Sequence, residues 1–165
     1  MTAEVLVAIV AEPCHVSLAS YVRLRHTCDV TAAACISYSA MTADILVIED
    51  DAIMREAVAE WLLGAGYRVR TAENGDVGLA SVNEELPALV VTDLHMPGTG
   101  GAAVIGELKQ HHPEIPIIAI SGLFESGFGM RADDVVALGA ARALAKPFKR
   151  RDLLTVVAEL LPKDP

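Results

Sequence analysis

Acidic residues follow two of the apolar runs in this chain. Glu49 and Asp50 come directly after residues 45–48, and Asp93 comes directly after residues 88–92. Carboxylates that a fold brings close together repel one another strongly, so such a group needs a cation. Oxygen ligands select a hard ion such as Mg²⁺, and Mn²⁺ accepts the same kind of ligand. We therefore expect a divalent metal site where these acids meet.

Two further polar residues occupy the same kind of position. Ser121 follows the apolar run 115–120, and Lys146 follows the weaker run 143–145. A carboxylate that lies beside Mg²⁺ and a lysine can attack phosphorus to give an aspartyl phosphate, a reaction that depends mainly on positioning and charge neutralisation. Asp93 is the predicted nucleophile because it ends a buried central run. Ser121 can donate a hydrogen bond to a phosphoryl oxygen, and Lys146 supplies fixed positive charge.

The elements that position these residues alternate along the chain. From Ile45 onward, apolar runs of strand length alternate with segments of helical period, which predicts an α/β fold with a parallel sheet covered on both faces. The carboxyl ends of such strands open on one crevice, so the polar residues are expected to meet there. Five strands are predicted at 45–48, 67–70, 88–93, 115–120 and 143–145, with helices near 53–62, 76–84, 100–108, 132–138 and 153–161.

Local patterns give more detailed expectations for the first helix and the fourth strand. Asp51 is expected to cap the first helix rather than to bind metal. Pro116 should lie near the start of the fourth strand. We expect the first helix to end at Gly64 and to present one face made of Ile53, Met54, Ala57, Val58, Trp61 and Leu62, with Trp61 in the core.

Composition narrows the class of protein. The chain has 165 residues, 53% apolar and 4% aromatic, which fits one domain with a tail and a core of aliphatic side chains. The net charge of −9 opposes binding to phosphate backbones, so no nucleic acid partner is expected. No apolar run is long enough to cross a bilayer, and Glu4 precedes the run 5–11 where a secretory signal needs basic residues. These features predict a cytoplasmic protein without membrane insertion.

Residues 1–40 differ from the rest of the chain and show no sustained period. They contain all three cysteines, Cys14, Cys28 and Cys35, whose spacing matches no zinc pattern. We expect an N-terminal extension over 1–40 and one domain over 41–165, and two interpretations of the extension stay open. Either it has a function, or Met41 is the true start. Since only residues 162–165 follow Leu161, we expect no output domain in this chain.

Four segments together resemble the receiver domain of response regulators in two-component signalling, of the CheY-like single-domain type. They are the acidic pair Glu49-Asp50, the phrase Asp93-Leu-His-Met-Pro-Gly, Ile120-Ser121-Gly122 and Lys146-Pro147-Phe148. All four stand in the order and at about the spacing of that family, and the resemblance covers about residues 44–161. It implies a flavodoxin-like, doubly wound sheet with strand order 2-1-3-4-5.

The resemblance also implies roles for these residues. Mg²⁺ would be held by Glu49 or its water, Asp50, Asp93 and the backbone carbonyl of His95. Asp93 would accept the phosphoryl group of a sensor histidine kinase or a histidine phosphotransfer protein in this phosphorelay, and the Lys146–Pro147 bond would be cis. The chain would then be a signalling phosphoprotein, not an enzyme, with autophosphorylation and autodephosphorylation as its only chemistry.

Output would pass to a downstream protein target, still unknown, through the face formed by the fourth helix, the fifth strand and the fifth helix. Both a monomer and a phosphorylation-dependent dimer fit this interpretation. The chain departs from the family pattern at Ala143, where an aromatic residue often turns inward on activation. His95 and Leu123 border the expected position of the attacking water, so we expect an altered phosphoryl lifetime of unknown sign. The side chain of His95 is itself expected to be solvated.

Three other functions stay open but fit the residues less well. Phosphohydrolases that use an aspartyl nucleophile need a second acid two residues past the nucleophile, and in this chain that residue is His95. A flavodoxin-like cofactor binder needs a phosphate-binding loop rich in Ser, Thr or Gly after the first strand, where this chain has acids. A degenerate receiver that serves as a scaffold would lack a reactive residue, and here every one is present.

Overall fold

The structure is a computed structural model that describes residues 43–122 and 131–161. Within these two stretches, five strands alternate with five helices. In chain order they are β1 (Asp44–Ile48), α1 (Ala52–Leu63), β2 (Arg68–Ala72), α2 (Gly75–Glu84), β3 (Leu89–Asp93), α3 (Gly101–His111), β4 (Ile117–Ser121), α4 (Ala132–Ala137), β5 (Arg142–Ala145) and α5 (Arg150–Leu160). The N-terminal extension with its cysteines, the loop 123–130 and the segment 162–165 lie outside the described residues.

The five strands form one parallel sheet in the order β2-β1-β3-β4-β5, so the predicted fold and strand order are confirmed. Ile45 pairs with Val69 on one side and with Leu89 on the other. The chain therefore winds outward from β1 to β2 and then crosses back to β3 on the opposite side. This reversal of direction between β1 and β3 opens a crevice at the carboxyl ends of the strands.

Alternation along the strands sends side chains into two hydrophobic clusters, one on each face of the sheet. Ile45 and Val47 of β1 lie in the cluster that α1 and α5 cover, whereas Leu46 and Ile48 lie in the cluster that α2, α3 and α4 cover. Every residue of β3 and of β4 is buried. Burial on both faces explains why the central strands are almost continuously apolar in the sequence.

The predicted face of α1 is wrong at one residue. Val58 and Leu62 are buried and Met54 packs against the same cluster, but the side chain of Ile53 is 82% exposed. Successive residues of a helix are rotated by about 100°, so Ile53 falls outside the stripe that Met54 shares with Val58. Trp61 is only partly buried and packs at the margin of the core.

Two other local predictions are confirmed. The carboxylate of Asp51 accepts hydrogen bonds from the backbone N–H groups of Ile53 and Met54, 2.8 and 3.0 Å long, and so caps α1. Pro116 directly precedes β4, and its carbonyl accepts a 3.0 Å hydrogen bond from the N–H of Val90. A proline fits there because that position needs an acceptor and no donor.

None of the helices in the described part of the chain is long and apolar enough to span a membrane.

Candidate functional site

The candidate residues lie together at the carboxyl edge of the sheet. Glu49 follows β1, Asp93 and Ser121 are the last residues of β3 and β4, and Lys146 follows β5. Backbone pairing fixes these strand ends relative to one another: the Leu94 N–H donates to the Ile120 carbonyl at 3.0 Å, and the Lys146 N–H donates to the Ser121 carbonyl at 2.8 Å. The convergence predicted from the apolar runs is therefore present.

The ammonium of Lys146 joins two of the acids. Its Nζ lies 2.8 Å from Oε2 and 3.1 Å from Oε1 of Glu49, and 2.9 Å from Oδ2 of Asp93. Both carboxylates are buried, with only 3% of Glu49 and 6% of Asp93 exposed. Burial alone would lower the pKa of Lys146, but the hydrogen bonds to Glu49 and Asp93 and the negative charges of these two groups together outweigh it, and the pKa is raised. Lys146 thus stays charged in the crevice.

Three carboxylates form an acidic cluster beside this lysine. One oxygen from each of Glu49, Asp50 and Asp93 lies within 4.8 Å of the others, and Asp50 is the exposed member. Burial raises the pKa of Glu49 against the opposing hydrogen bond from Lys146, and the charges of Asp93 and Asp50 add to the rise. Three carboxylates and one ammonium leave two negative charges. This charge and the all-oxygen donor set fit a divalent cation such as Mg²⁺.

A contact between His95 and Ser121 was not predicted. The side chain of His95 is exposed, as expected for a solvated residue, yet its Nδ1 forms a 3.2 Å hydrogen bond with Oγ of Ser121. The backbone N–H of His95 also lies 3.3 Å from Oδ1 of Asp93, a long hydrogen bond. Adjacent parallel strands end in Asp93 and Ser121, and that adjacency is the one sequence signal that could have indicated the contact.

Sequence reasoning also missed Arg55 on α1. Its guanidinium Nη1 donates hydrogen bonds to the backbone carbonyls of Glu49 at 2.7 Å and Asp50 at 3.3 Å. The basic group therefore contacts the backbone of the acidic pair and not its carboxylates. Nothing in the residue types alone indicates this, because the contact depends on how α1 is placed over the turn that precedes it.

Helix α3 begins directly against the strand end that carries Asp93. A Cβ atom added to Gly101 would lie 2.1 Å from the backbone oxygen of Asp93, closer than any real side chain could approach. The Gly101 N–H donates to the Leu94 carbonyl at 3.2 Å. Only glycine at position 101 allows the helix to pack this closely, and the packing holds the backbone of Asp93 in place.

The segment after Lys146 matches its prediction. The Lys146–Pro147 peptide bond is cis, as expected. Phe148 meets Trp61 edge to face, with ring centroids 6.2 Å apart and ring planes at 84°. Ala143 of β5, the position of the missing aromatic, pairs with Ala119 of β4. Leu123, the other residue expected to influence phosphoryl lifetime, lies outside the described residues.

Comparison with known proteins identifies close relatives of this chain. Residues 45–158 match the family model of the response regulator receiver domain. The response regulator protein FleR of Pseudomonas aeruginosa is 33% identical over 118 residues, which are 72% of this chain and 24% of FleR. The nitrogen assimilation regulatory protein NtrX of Azorhizobium caulinodans is 33% identical over 121 residues, 72% of this chain and 26% of that protein. The chain thus spans about a quarter of the length of these two relatives.

Solved structures agree. The crystal structure of the receiver domain of NtrX from Brucella abortus is 35% identical and superposes with a TM-score of 0.66, over 73% of this chain and 100% of that one. The chemotaxis protein CheY4 of Vibrio cholerae is 25% identical with a TM-score of 0.65, again over 73% of this chain and 100% of that one.

Proposed function

Because this chain belongs to the family of response regulator receiver domains, we propose that it accepts a phosphoryl group on Asp93 in a Mg²⁺-dependent reaction and signals by binding another protein. The observation that carries the proposal is the position of Asp93. This carboxylate is buried at the end of a central strand, 2.9 Å from the ammonium of Lys146 and within 4.8 Å of two other acids. A carboxylate in these surroundings suits nucleophilic attack on phosphorus.

In the proposed reaction, an oxygen of Asp93 forms a bond to phosphorus while the bond from phosphorus to the donor nitrogen breaks. Lys146 already contacts the acceptor carboxylate, so its charge lies where negative charge accumulates on the phosphoryl oxygens. Ser121 donates its hydroxyl hydrogen to one of those oxygens, while its oxygen can accept from Nδ1 of His95 in the tautomer that carries the proton there. Glu49 or its water, Asp50, Asp93 and the carbonyl of His95 would hold Mg²⁺, which neutralises phosphoryl charge when bound.

The donor in this proposal is a phosphohistidine on a sensor histidine kinase or a histidine phosphotransfer protein, and the reaction takes place in the cytoplasm. The only chemistry of the domain itself is phosphorylation and slow self-dephosphorylation. The residue at position 95 does not support a phosphohydrolase, because His95 has an imidazole in place of the second carboxylate that such an enzyme needs.

We place the output surface on α4, β5 and α5. Val136 lies in α4 and Leu138 is the C-cap of this helix of six residues. They expose 48% and 39% of their surfaces, which is a large fraction for apolar residues. Along α5, a shallow depression of ≈ 630 Å³ is lined by Arg151, Leu154, Thr155, Ala158 and Glu159. Exposed apolar groups rimmed by charges favour a protein partner, either a downstream target or a second phosphorylated copy of this domain.

Intact-protein mass spectrometry tests the proposed chemistry. The full chain is incubated with acetyl phosphate, with and without Mg²⁺, and compared with Asp93→Asn and with the control Asp51→Asn, which retains the helix cap. We expect one phosphoryl adduct in the wild type and in Asp51→Asn that requires Mg²⁺ and is removed by hydroxylamine, and none in Asp93→Asn. An adduct of equal yield in Asp93→Asn would overturn the assignment of the acceptor.

A further inference from the structure

Arg55 contacts the acidic pair from the first turns of α1. A single guanidinium nitrogen, Nη1, donates to two successive backbone carbonyls, those of Glu49 at 2.7 Å and Asp50 at 3.3 Å. The shorter contact has the length of a charge-assisted hydrogen bond, the stronger kind in proteins. Arg55 therefore fixes the peptide from which both carboxylates project.

Both neighbours of Asp50 in the turn from β1 to α1 are held by their side chains. Glu49 is bonded to Lys146, and the carboxylate of Asp51 is bonded to the N-terminus of α1. Among the described residues, no side chain or backbone group bonds to the carboxylate of Asp50. Its direction is therefore set through its backbone, whose carbonyl Arg55 contacts. Repulsion from Glu49 and Asp93 would otherwise favour a conformation with Asp50 turned away from the cluster.

We propose that Arg55 is a positioning residue for the divalent metal: it holds the Glu49–Asp50 backbone so that the Asp50 carboxylate stays in the acidic cluster. The inference rests on the proposed Mg²⁺-dependent function and adds a residue to the metal site. Arg55 needs no contact with the metal itself. Replacing a group that orients metal ligands in this way typically costs about 10- to 100-fold in metal affinity or activity.

The positive charge of Arg55 has the opposite effect on Mg²⁺ affinity. A guanidinium near the cluster repels a metal cation, so its removal would strengthen Mg²⁺ binding if charge dominated. Arg55 is partly exposed, and water and salt screen that repulsion, whereas the hydrogen bonds act directly on the ligand backbone. The structure therefore favours orientation over charge, and the two effects predict opposite signs for the same variant.

Isothermal titration calorimetry with Mg²⁺ alone distinguishes the orientation effect of Arg55 from its charge effect. We compare the wild-type chain with Arg55→Lys, which keeps the charge but replaces the planar guanidinium by a compact ammonium, and with Arg55→Met, which has neither charge nor donor. Arg68→Met removes a half-exposed cation at the amino end of β2, at the opposite edge of the sheet from the acidic cluster, and serves as the matched control. We expect Arg55→Met to bind Mg²⁺ about tenfold more weakly, the lower end of the effect typical of such groups. Arg55→Lys should lie between it and the wild type, and Arg68→Met should bind as the wild type does.

A second measurement distinguishes positioning from a general loss of structure. The rate of phosphorylation by acetyl phosphate is measured against Mg²⁺ concentration. If Arg55 acts on the metal site, the half-saturating Mg²⁺ concentration of Arg55→Met rises by the same factor, and the rate at saturating Mg²⁺ returns to that of the wild type. Urea unfolding in EDTA verifies that each variant is folded, and Arg55→Lys decides the question if Arg55→Met is not.

Mg²⁺ binding by folded Arg55→Met as tight as that of the wild type, or tighter, would overturn the inference. So would a rate that stays low at saturating Mg²⁺ while the affinity is unchanged. A wild type that binds no Mg²⁺ at all would overturn the proposed function itself, and the inference with it.

Discussion

Replacement of Asp50 by asparagine should stabilise the metal-free domain and weaken its binding of Mg²⁺. Asp50 is the exposed member of the acidic cluster, and no described group bonds to its carboxylate. The substitution therefore removes charge repulsion without removing a hydrogen bond. Asparagine has nearly the same shape, so the packing of the turn is preserved.

The magnitude follows from the geometry. Carboxylate oxygens that lie within 4.8 Å of each other repel by about 0.9 kcal/mol even at the dielectric constant of water, and Asp50 has two such neighbours. Lys146, which bonds to both neighbours, carries a positive charge that offsets part of the repulsion. The expected gain in the free energy of unfolding is therefore about 1 kcal/mol in EDTA.

Urea unfolding measures this gain as a higher midpoint with an unchanged slope. Mg²⁺ should reverse the order of stability, because a ligand at 100 times its dissociation constant adds about 2.7 kcal/mol to the wild type and much less to Asp50→Asn. Glu56→Gln removes another exposed acid of the same region and should change neither midpoint. If Asp50→Asn is less stable than the wild type in EDTA, or gains as much from Mg²⁺, the electrostatic account of the cluster is wrong.

Four further substitutions have defined outcomes. Lys146→Met leaves two buried carboxylates without their cation and should lower the free energy of unfolding at pH 7 by about 3 kcal/mol in urea titrations. Because the pKa of Lys146 is raised in the folded protein, the stabilisation by Lys146 should persist through neutral pH. It should disappear only as the pH rises above 10.5. Gly101→Ala should destabilise the domain by more than about 2 kcal/mol, because its Cβ would meet the Asp93 carbonyl. Gly106→Ala has open space around the new Cβ and should stabilise the domain by roughly 1 kcal/mol. Equal melting temperatures for the two variants would contradict this expectation. Asp51→Ala should lower thermal stability by about 1 kcal/mol through loss of the cap and leave the Mg²⁺ affinity unchanged, and a large loss of affinity would instead place Asp51 among the ligands.

The sheet and its polar edge could be predicted because both depend on simple rules. A strand buried on two faces is a continuous apolar run, as in β3 and β4, and the carboxyl ends of parallel strands always share one edge. The residue types directly after those runs then identify the members of the site. The boundaries were less well defined, and β4 begins at Ile117, two residues later than the pattern suggested, because Pro116 can accept but not donate in the ladder.

Contacts that depend on side-chain direction could not be predicted. Periodicity identifies the stripe of α1 that faces the core but not where the stripe ends, so Ile53 was placed wrongly. The hydrogen bond from Arg55 to the backbone of the acidic pair and the hydrogen bond between Ser121 and His95 both depend on the position of an element and on a side-chain rotamer. Sequence patterns define neither.

Locating the phosphoryl group by residue is the most direct test of the central claim. The full chain is phosphorylated with acetyl phosphate and Mg²⁺, treated with borohydride, which reduces an aspartyl phosphate to homoserine, and then analysed by peptide mass spectrometry. We expect homoserine at position 93 and unmodified aspartate at positions 50 and 51. Homoserine at another position, with residue 93 still aspartate, would contradict the assignment of Asp93 as the phosphoacceptor.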